Sequence, residues 1–287
     1  MTFTELYAAR KPVTSIEFFP PRTPETAAKF EANLPAFRAL SPAFCSLTMG
    51  AGGNLFGNTV ELVTRLKRDE GMEMVCHFTC VGKSRDEVRE ILGQLKAGGV
   101  EKIIALRGDP PKGETEWKPH PDGLKFSVEL VREARAFGGF SIAVAGFPET
   151  HPDAASPEAD LAYLKEKVDA GADAVITQLF FDNEDFLRFA DRARKAGIHV
   201  PIVPGILPIR TVAWVRKFIP ICKARIPAAL EAELVKVEKD DAACQRMGTE
   251  YAIRQCRGLM AEGVAQFHLC SLNDPAPVSA IVRELGL

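Results

Sequence analysis

The sequence predicts a (β/α)8 barrel, and three observations carry that prediction. Eight short runs rich in β-branched and aromatic residues recur along the 287 residues, and amphipathic helical stretches separate them. No G-x-G-x-x-G follows the first run and no P-loop pattern occurs anywhere, which disfavours the main alternative, an open doubly wound sheet.

The runs are VTSIEFF (13–19), AFCSLTM (43–49), EMVCHFTC (73–80), EKIIALR (101–107), FSIAVAG (140–146), DAVITQLFF (173–181), VPIVPGIL (200–207) and VAQFHLC (264–270). Helix starts are marked by Thr23 before Pro24, by a capping box from Ser84 to Glu87, and by Ser156 before Pro157. Helix ends are marked at Gly98, Gly171 and Gly197, where a left-handed cap costs least. The long stretch from 208 to 263 has room for extra helices between the seventh and eighth strands. No linker or low-complexity tract divides the chain, so residues 1–287 read as one domain.

Composition narrows the function. Apolar residues make up 46% and charged residues 26%, and 36 Lys plus Arg against 38 Asp plus Glu leave a net charge of -2. That balance gives no basic field for nucleic acid or anionic lipid, so small molecules are the expected partners. No run is long and apolar enough for a signal core or a membrane span, which gives a cytoplasmic expectation. The seven cysteines include no C-x-x-C and sit mostly in apolar runs, as reduced buried thiols would. Cys76, His77 and Cys80 are not expected to bind metal, because strand alternation sends Cys76 and His77 to opposite faces.

In a barrel of this kind, polar residues at the C-terminal ends of the strands converge on one mouth. Those ends carry Glu17, Thr48, His77, the Arg107-Gly108-Asp109 sequence, His151 and Gln178. Each alone has an ordinary structural reading: a solvated loop acid, a satisfied core histidine, a local ion pair. The glycines of GAGGN (50–54) read equally as turn residues or as a close approach to a flat ligand. Their coincidence at one end is what points to a site.

IEFFPPRTPE (16–25), SLTMGAGG (46–53), HFTCVGKSRDE (77–87), ALRGDPP (105–111), GFPETHP (146–152), KVDAGADAVITQLFFDNEDF (167–186) and IVPGILPI (202–209) resemble, in order, the catalytic domain of the methylenetetrahydrofolate reductases. The resemblance runs from about 13 to 275 and matches the short bacterial form, without the regulatory domain of eukaryotic relatives. It implies a flavoprotein in which NADH or NADPH reduces FAD, and the reduced flavin then converts 5,10-methylenetetrahydrofolate to 5-methyltetrahydrofolate. It implies Glu17 as the general acid that opens the imidazolidine ring, with an acidity weakened by Phe18, Phe19, Pro20 and Pro21 beside it. Asp109 is the implied charge between flavin and pterin, and Gln178 and Phe218 are the implied folate contacts. FAD contacts are implied for Thr48, His77, Arg107, Gly108, Asp109, Ala145, Phe147, His151, Asp160 and Lys167.

Two regions depart from the family pattern. Tyr163 and Glu166 replace an Asn and an Arg often found beside the FAD phosphates. Cys270 and Asp274 stand where a Tyr and an Arg are common, leaving Arg22, Lys217 and Lys223 as cations for the folate glutamate tail. A flavin-independent reductase and a non-reducing folate-binding barrel remain the alternatives, and homo-oligomerisation is left open.

Overall fold

A computed structural model of the chain describes residues 1–8, 12–49, 56–109, 118–222 and 224–287, excepting the side chains of 56–58, 220 and 221. The GAGGN glycines and Lys223 lie outside those residues. The strands are β1 (Val13–Phe18), β2 (Phe44–Leu47), β3 (Met74–Thr79), β4 (Lys102–Leu106), β5 (Ser141–Gly146), β6 (Ala174–Thr177), β7 (Ile202–Val203), β8 (Gly205–Ile206) and β9 (Gln266–Cys270). All pair in parallel, in the order β7-β6-β5-β4-β3-β2-β1-β9-β8. Only Pro204 separates β7 from β8, so the two are one strand kinked at a proline that cannot donate to a ladder. The expected seventh strand therefore closes the ring in two pieces: β7 pairs with β6, β8 with β9, and the Pro204 carbonyl accepts the His268 amide at 3.0 Å.

The helices are α1 (Phe3–Tyr7), α2 (Pro24–Ala39), α3 (Phe56–Glu70), α4 (Arg85–Ala97), α5 (Ser127–Phe137), α6 (Pro157–Asp169), α7 (Asn183–Lys195), α8 (Val212–Cys222), α9 (Ala228–Lys236), α10 (Asp241–Ala261) and α11 (Pro275–Leu285). Thr23, Ser84 and Ser156 cap α2, α4 and α6 as expected. Gly171 and Gly197 take positive φ, but Gly98 does not: its φ is -79°, and Gly99 supplies the turn at +74°. Gly98 is glycine because a Cβ there would collide with the Thr64 side chain on α3. The expected extra helices between the last two strands are present: α8, α9 and α10 fill the interval. Tyr251 and Gln255 of α10 donate to the carbonyls of Phe181 and Phe180, at 2.6 and 2.9 Å, and so fix the loop leaving β6.

Strand alternation divides the core. Ile16, Cys76, Ile103, Val144 and Leu269 point outward under the helices, and the inward positions near the strand starts hold Val13, Phe44, Val75, Ile104, Ala143 and Ala174. The sequence reading did not anticipate α1. It caps this lower end: Phe3 and Tyr7 pack edge-on against Phe44, and the Phe3 amide donates to Ser141 Oγ at 2.8 Å. Among the described residues no helix is long and apolar enough to cross a membrane.

Candidate active site

At the upper end the strands open into a cavity of about 840 Å³. Every expected site residue lines it: Glu17, Thr48, His77, Arg107, Gly108, Asp109, Ala145, Phe147, His151, Asp160, Lys167, Gln178 and Phe218.

One wall is built by β1, β2, β3 and β9. Glu17 is held there through its backbone, since its carbonyl accepts from Ser271 Oγ at 2.6 Å and from the Ser271 amide at 3.2 Å. Asn273, at φ +59°, adds two bonds to the main chain of Phe19, at 2.9 and 2.7 Å. The Glu17 carboxyl faces two imidazoles, His77 Nε2 at 3.5 Å and His268 Nε2 at 3.6 Å, and Cys270 Sγ lies 3.5 Å from its other oxygen. Ser46 Oγ bridges the imidazoles, 3.0 Å from His77 Nε2 and 3.3 Å from His268 Nε2. Ser15 Oγ sits 2.7 Å from His268 Nδ1.

The expected desolvating wall is present only in part, since Phe19 lines the cavity with Glu17 but Phe18 does not. Alternation turns Phe18 to the opposite face, against Phe30 and Phe37. Burial does oppose ionisation of Glu17, but the His268 contact and the fields of His77 and His268 outweigh it and hold the carboxyl below its usual range. Burial pushes the His77 imidazole down to about 4, against the pull of Glu17.

The opposite wall, from β4, β5, β6 and the helices outside them, carries Lys167, Arg107 and Arg132 among carboxylates. Lys167 is buried, donates to the Ala145 carbonyl at 2.7 Å, and is pushed down to about 8 by burial, with Asp160 opposing. Arg107 pairs with Asp153 at 3.0 Å. The His151 ring meets Phe147 edge-on at 4.5 Å, and its amide donates to Asp160 Oδ2 at 2.9 Å. Gly108 takes φ +92°, and an added Cβ would lie 2.5 Å from Val81 Cγ1, so the backbone passes where only glycine fits. Asp109 is exposed at the rim, Gln178 accepts from the Leu179 amide at 2.9 Å, and Phe218 stacks on Trp214 at 4.3 Å.

Both departures have structural explanations. Tyr163 lies 3.3 Å from Ser127 Oγ and 3.4 Å from the Val128 amide, at the start of α5, and its ring lies over Lys167 Nζ at 5.3 Å. Glu166 pairs with Arg132 of α5 at 2.7 Å, so a cation stands across the groove from the acid. Asp274 is the N-cap of α11, accepts from the Ala276 amide at 3.1 Å and pairs with Arg210 at 3.2 Å. The sequence reading overlooked Arg132 and Arg210, and also His268 and Ser46. Alternation gives the signal for the last two, because Ser15 pairs with His268, and Glu17 with both Ser46 and Cys270.

The cavity fits a flavin dinucleotide in its chemistry. It has an apolar floor, a glycine-only backbone approach and a buried lysine, Lys167, on one side.

Residues 2–286 match the family described as methylenetetrahydrofolate reductase. The chain is 39% identical over 274 residues to 5,10-methylenetetrahydrofolate reductase of Escherichia coli, covering 95% of this chain and 90% of that one. It is 37% identical over 284 residues to methylenetetrahydrofolate reductase (NADH) 1 of Arabidopsis thaliana, covering 95% of this chain and 48% of the plant protein. The chain thus spans about half the length of the plant relatives. In fold it is similar to a Clostridium thermocellum protein described as binding two copies of 5-methyl-5,6,7,8-tetrahydrofolic acid. The TM-score is 0.67 at 12% identity, over 99% of this chain and 97% of that one. By sequence over nearly its whole length, the chain belongs to the methylenetetrahydrofolate reductase family.

Proposed function

We propose that this protein reduces 5,10-methylenetetrahydrofolate to 5-methyltetrahydrofolate with NADH or NADPH as donor and FAD as the bound cofactor. The observation that carries the reading is the placement of Glu17. It is a carboxyl held through its main chain among proton-bearing side chains, on the wall of a cavity whose other wall carries the buried Lys167. The chemistry a bound FAD supplies there is the relay of a hydride between nicotinamide and folate. The pyrophosphate and ribityl groups fall to Lys167 and Arg107, with Arg132 beside Glu166. Thr48, His77, Gly108, Ala145, Phe147, His151 and Asp160 hold the remainder.

Hydride can reach the one-carbon unit only after the imidazolidine ring opens to an N5 iminium, and opening needs a proton at N10. Glu17 delivers it. Asp109 places a negative charge at the rim, where it steadies a cationic iminium. Gln178 can both donate to and accept from a pterin, and Phe218 packs an aromatic face on the folate or the nicotinamide. Arg210, paired with Asp274, joins Arg22 and Lys217 as a cation for the glutamate tail.

The test is a pair of anaerobic half-reactions. Purified protein carrying the visible absorbance of oxidised flavin should lose it on mixing with NADH or NADPH and recover it on adding 5,10-methylenetetrahydrofolate. Colourless protein that still couples nicotinamide oxidation to folate reduction would establish direct hydride transfer instead. Folate binding without any nicotinamide oxidation would establish a binding barrel.

A further inference from the structure

Among the described residues, one group of three metal-ligating side chains converges: Glu17 of β1, His77 of β3 and His268 of β9 each bring a donor atom within 4.8 Å of the other two. The sequence neighbours of His77 supply none of this set. Both of its partners come from other strands, brought round by the closing of the ring. Glu17 Oε2 stands 3.5 Å from His77 Nε2 and 3.6 Å from His268 Nε2, and the Ser46 hydroxyl packs against the same two nitrogens at 3.0 and 3.3 Å. The two separations from the carboxyl are too long for made hydrogen bonds. They fit the edge of a coordination tetrahedron instead: with metal–ligand bonds of about 2.0 to 2.1 Å, neighbouring ligand atoms lie about 3.4 Å apart.

The outer partners fit as well. A ligating imidazole ordinarily binds a second group through its other nitrogen, which fixes the ring and leaves the ligating nitrogen facing the ion. Ser15 Oγ, 2.7 Å from His268 Nδ1, is such a partner, and the His268 ring lies against Phe44 with 5.9 Å between centroids. Glu17 is clamped through its carbonyl by Ser271. Both imidazoles are buried, whereas all three side chains line the cavity, so the set is closed toward the barrel and open on the side where water can complete four ligands.

We propose that Glu17, His77 and His268 form a binding site for a divalent cation of the zinc class, and that a cation seated there reversibly blocks folate reduction. Two imidazoles with one carboxylate favour Zn²⁺ or Co²⁺ over Mg²⁺ and Ca²⁺, which take oxygen donors. The cation uses one Nε2 from each ring and a lone pair of Glu17 Oε2, and so excludes the proton that this carboxyl has to carry. Lys167 and Arg107, on the opposite wall, are left untouched. The site stands on geometry alone, while the block rests on the reading of Glu17 as the acid.

Two measurements test this. In the first, the purified full chain is stripped of metal with a chelator and titrated with Co²⁺, whose tetrahedral complexes absorb in the visible on the long-wavelength side of oxidised flavin. One equivalent should bind with that signature, Zn²⁺ should displace it, and excess Mg²⁺ should not. Glu17→Gln, which keeps the size of the side chain and loses the anion, should abolish the signature, as should His268→Asn. Ser15→Ala keeps all three ligands and should weaken binding roughly 10- to 100-fold. Wild type without the signature, or Glu17→Gln with the signature unchanged, overturns the site.

In the second, the anaerobic half-reactions are run at saturating Zn²⁺. Folate reduction should fall about 10²- to 10⁴-fold, the loss expected when the acid is removed, and should return on adding chelator, while nicotinamide oxidation by the flavin continues. An equal loss in both half-reactions would overturn the block, because the cation would then act on flavin binding. A Co²⁺ signature that depends on Glu17, in a protein whose folate half-reaction survives Zn²⁺, would instead overturn the reading of Glu17 as the acid and leave the site standing.

Discussion

On β1, Val13 sits in the apolar plug with α1, whereas Ser15 and Glu17 belong to the polar cluster above it; the chain runs from Phe44 to Ser46 to Thr48 along and just past β2, and from Val75 to His77 to Thr79 along β3. The lower end of the barrel is mostly apolar inside and covered by a helix that Ser141 binds. The upper end, one pleat repeat of about 6.6 Å further along the same strands, is polar and open. A period of two keeps these residues on one face, so each strand contributes both to the seal and to the chemistry without changing direction. Substitutions at the two ends should therefore separate activity from stability.

The largest effect is expected from Glu17→Gln. Folate reduction should fall about 10²- to 10⁴-fold while nicotinamide oxidation by the flavin is retained and the unfolding midpoint does not drop. Equal losses in both half-reactions would remove Glu17 as the specific acid. Next comes Phe3→Ala at the opposite end, which should cost ~3 to 5 kcal/mol in denaturant unfolding and leave flavin affinity unchanged. A parallel loss of flavin affinity would show that the plug and the cavity are coupled, and the contrast between the ends would break.

A third substitution sharpens the contrast within the cavity. Lys167→Met should weaken FAD binding roughly 10- to 150-fold, the range for one charge-assisted hydrogen bond. Because Lys167 sits at about 8, wild-type affinity for FAD should decline as pH rises through that value, and the variant should lose the decline. Fluorescence titration of flavin against pH measures both.

The smallest effect concerns Glu149, on the rim after β5, which burial pushes up to about 6, against the Arg225 amide that binds it. An acid raised in the folded state contributes stability that is complete below the ordinary value of 4.5 and is lost as pH rises through about 6. Glu149→Gln should therefore melt at a progressively higher temperature relative to wild type across that interval. A constant difference would leave Glu149 without a linked proton.

The strands, their caps and the converging strand ends were legible because periodicity and capping are local. Eight runs sufficed to predict the ring, and Thr23, Ser84 and Ser156 mark helix starts that tertiary packing does not override. What was not legible depends on partners far along the chain. MTFTELY carries too short an apolar pattern to announce a helix, and α1 exists because the barrel end, with Phe44, gives it something to cover. The state of Glu17 was misjudged from its neighbours in sequence, since Phe18 faces away while His268 comes from more than two hundred residues downstream. Glu166 and Asp274 looked like misplaced charges until Arg132 and Arg210 were seen opposite them.

The kinked seventh strand places the closure of the ring beside His268, and this bears on when the protein becomes active as it is made. β9 pairs with β1 across a separation of roughly the whole chain, and Ser271 and Asn273, just beyond it, clamp the main chain of Glu17 and Phe19. Such long-range pairing is the slow part of folding, because the loop it closes must form before any contact rewards it. A nascent chain that has emerged as far as α10 can already assemble most of its strands and helices. It still has an unsealed edge at β1, no His268 next to Glu17, and no clamp on the main chain of Glu17 and Phe19. Ring closure and completion of the surroundings of Glu17 are therefore a single late event, so partly folded chains have both an exposed edge and an incomplete cavity wall.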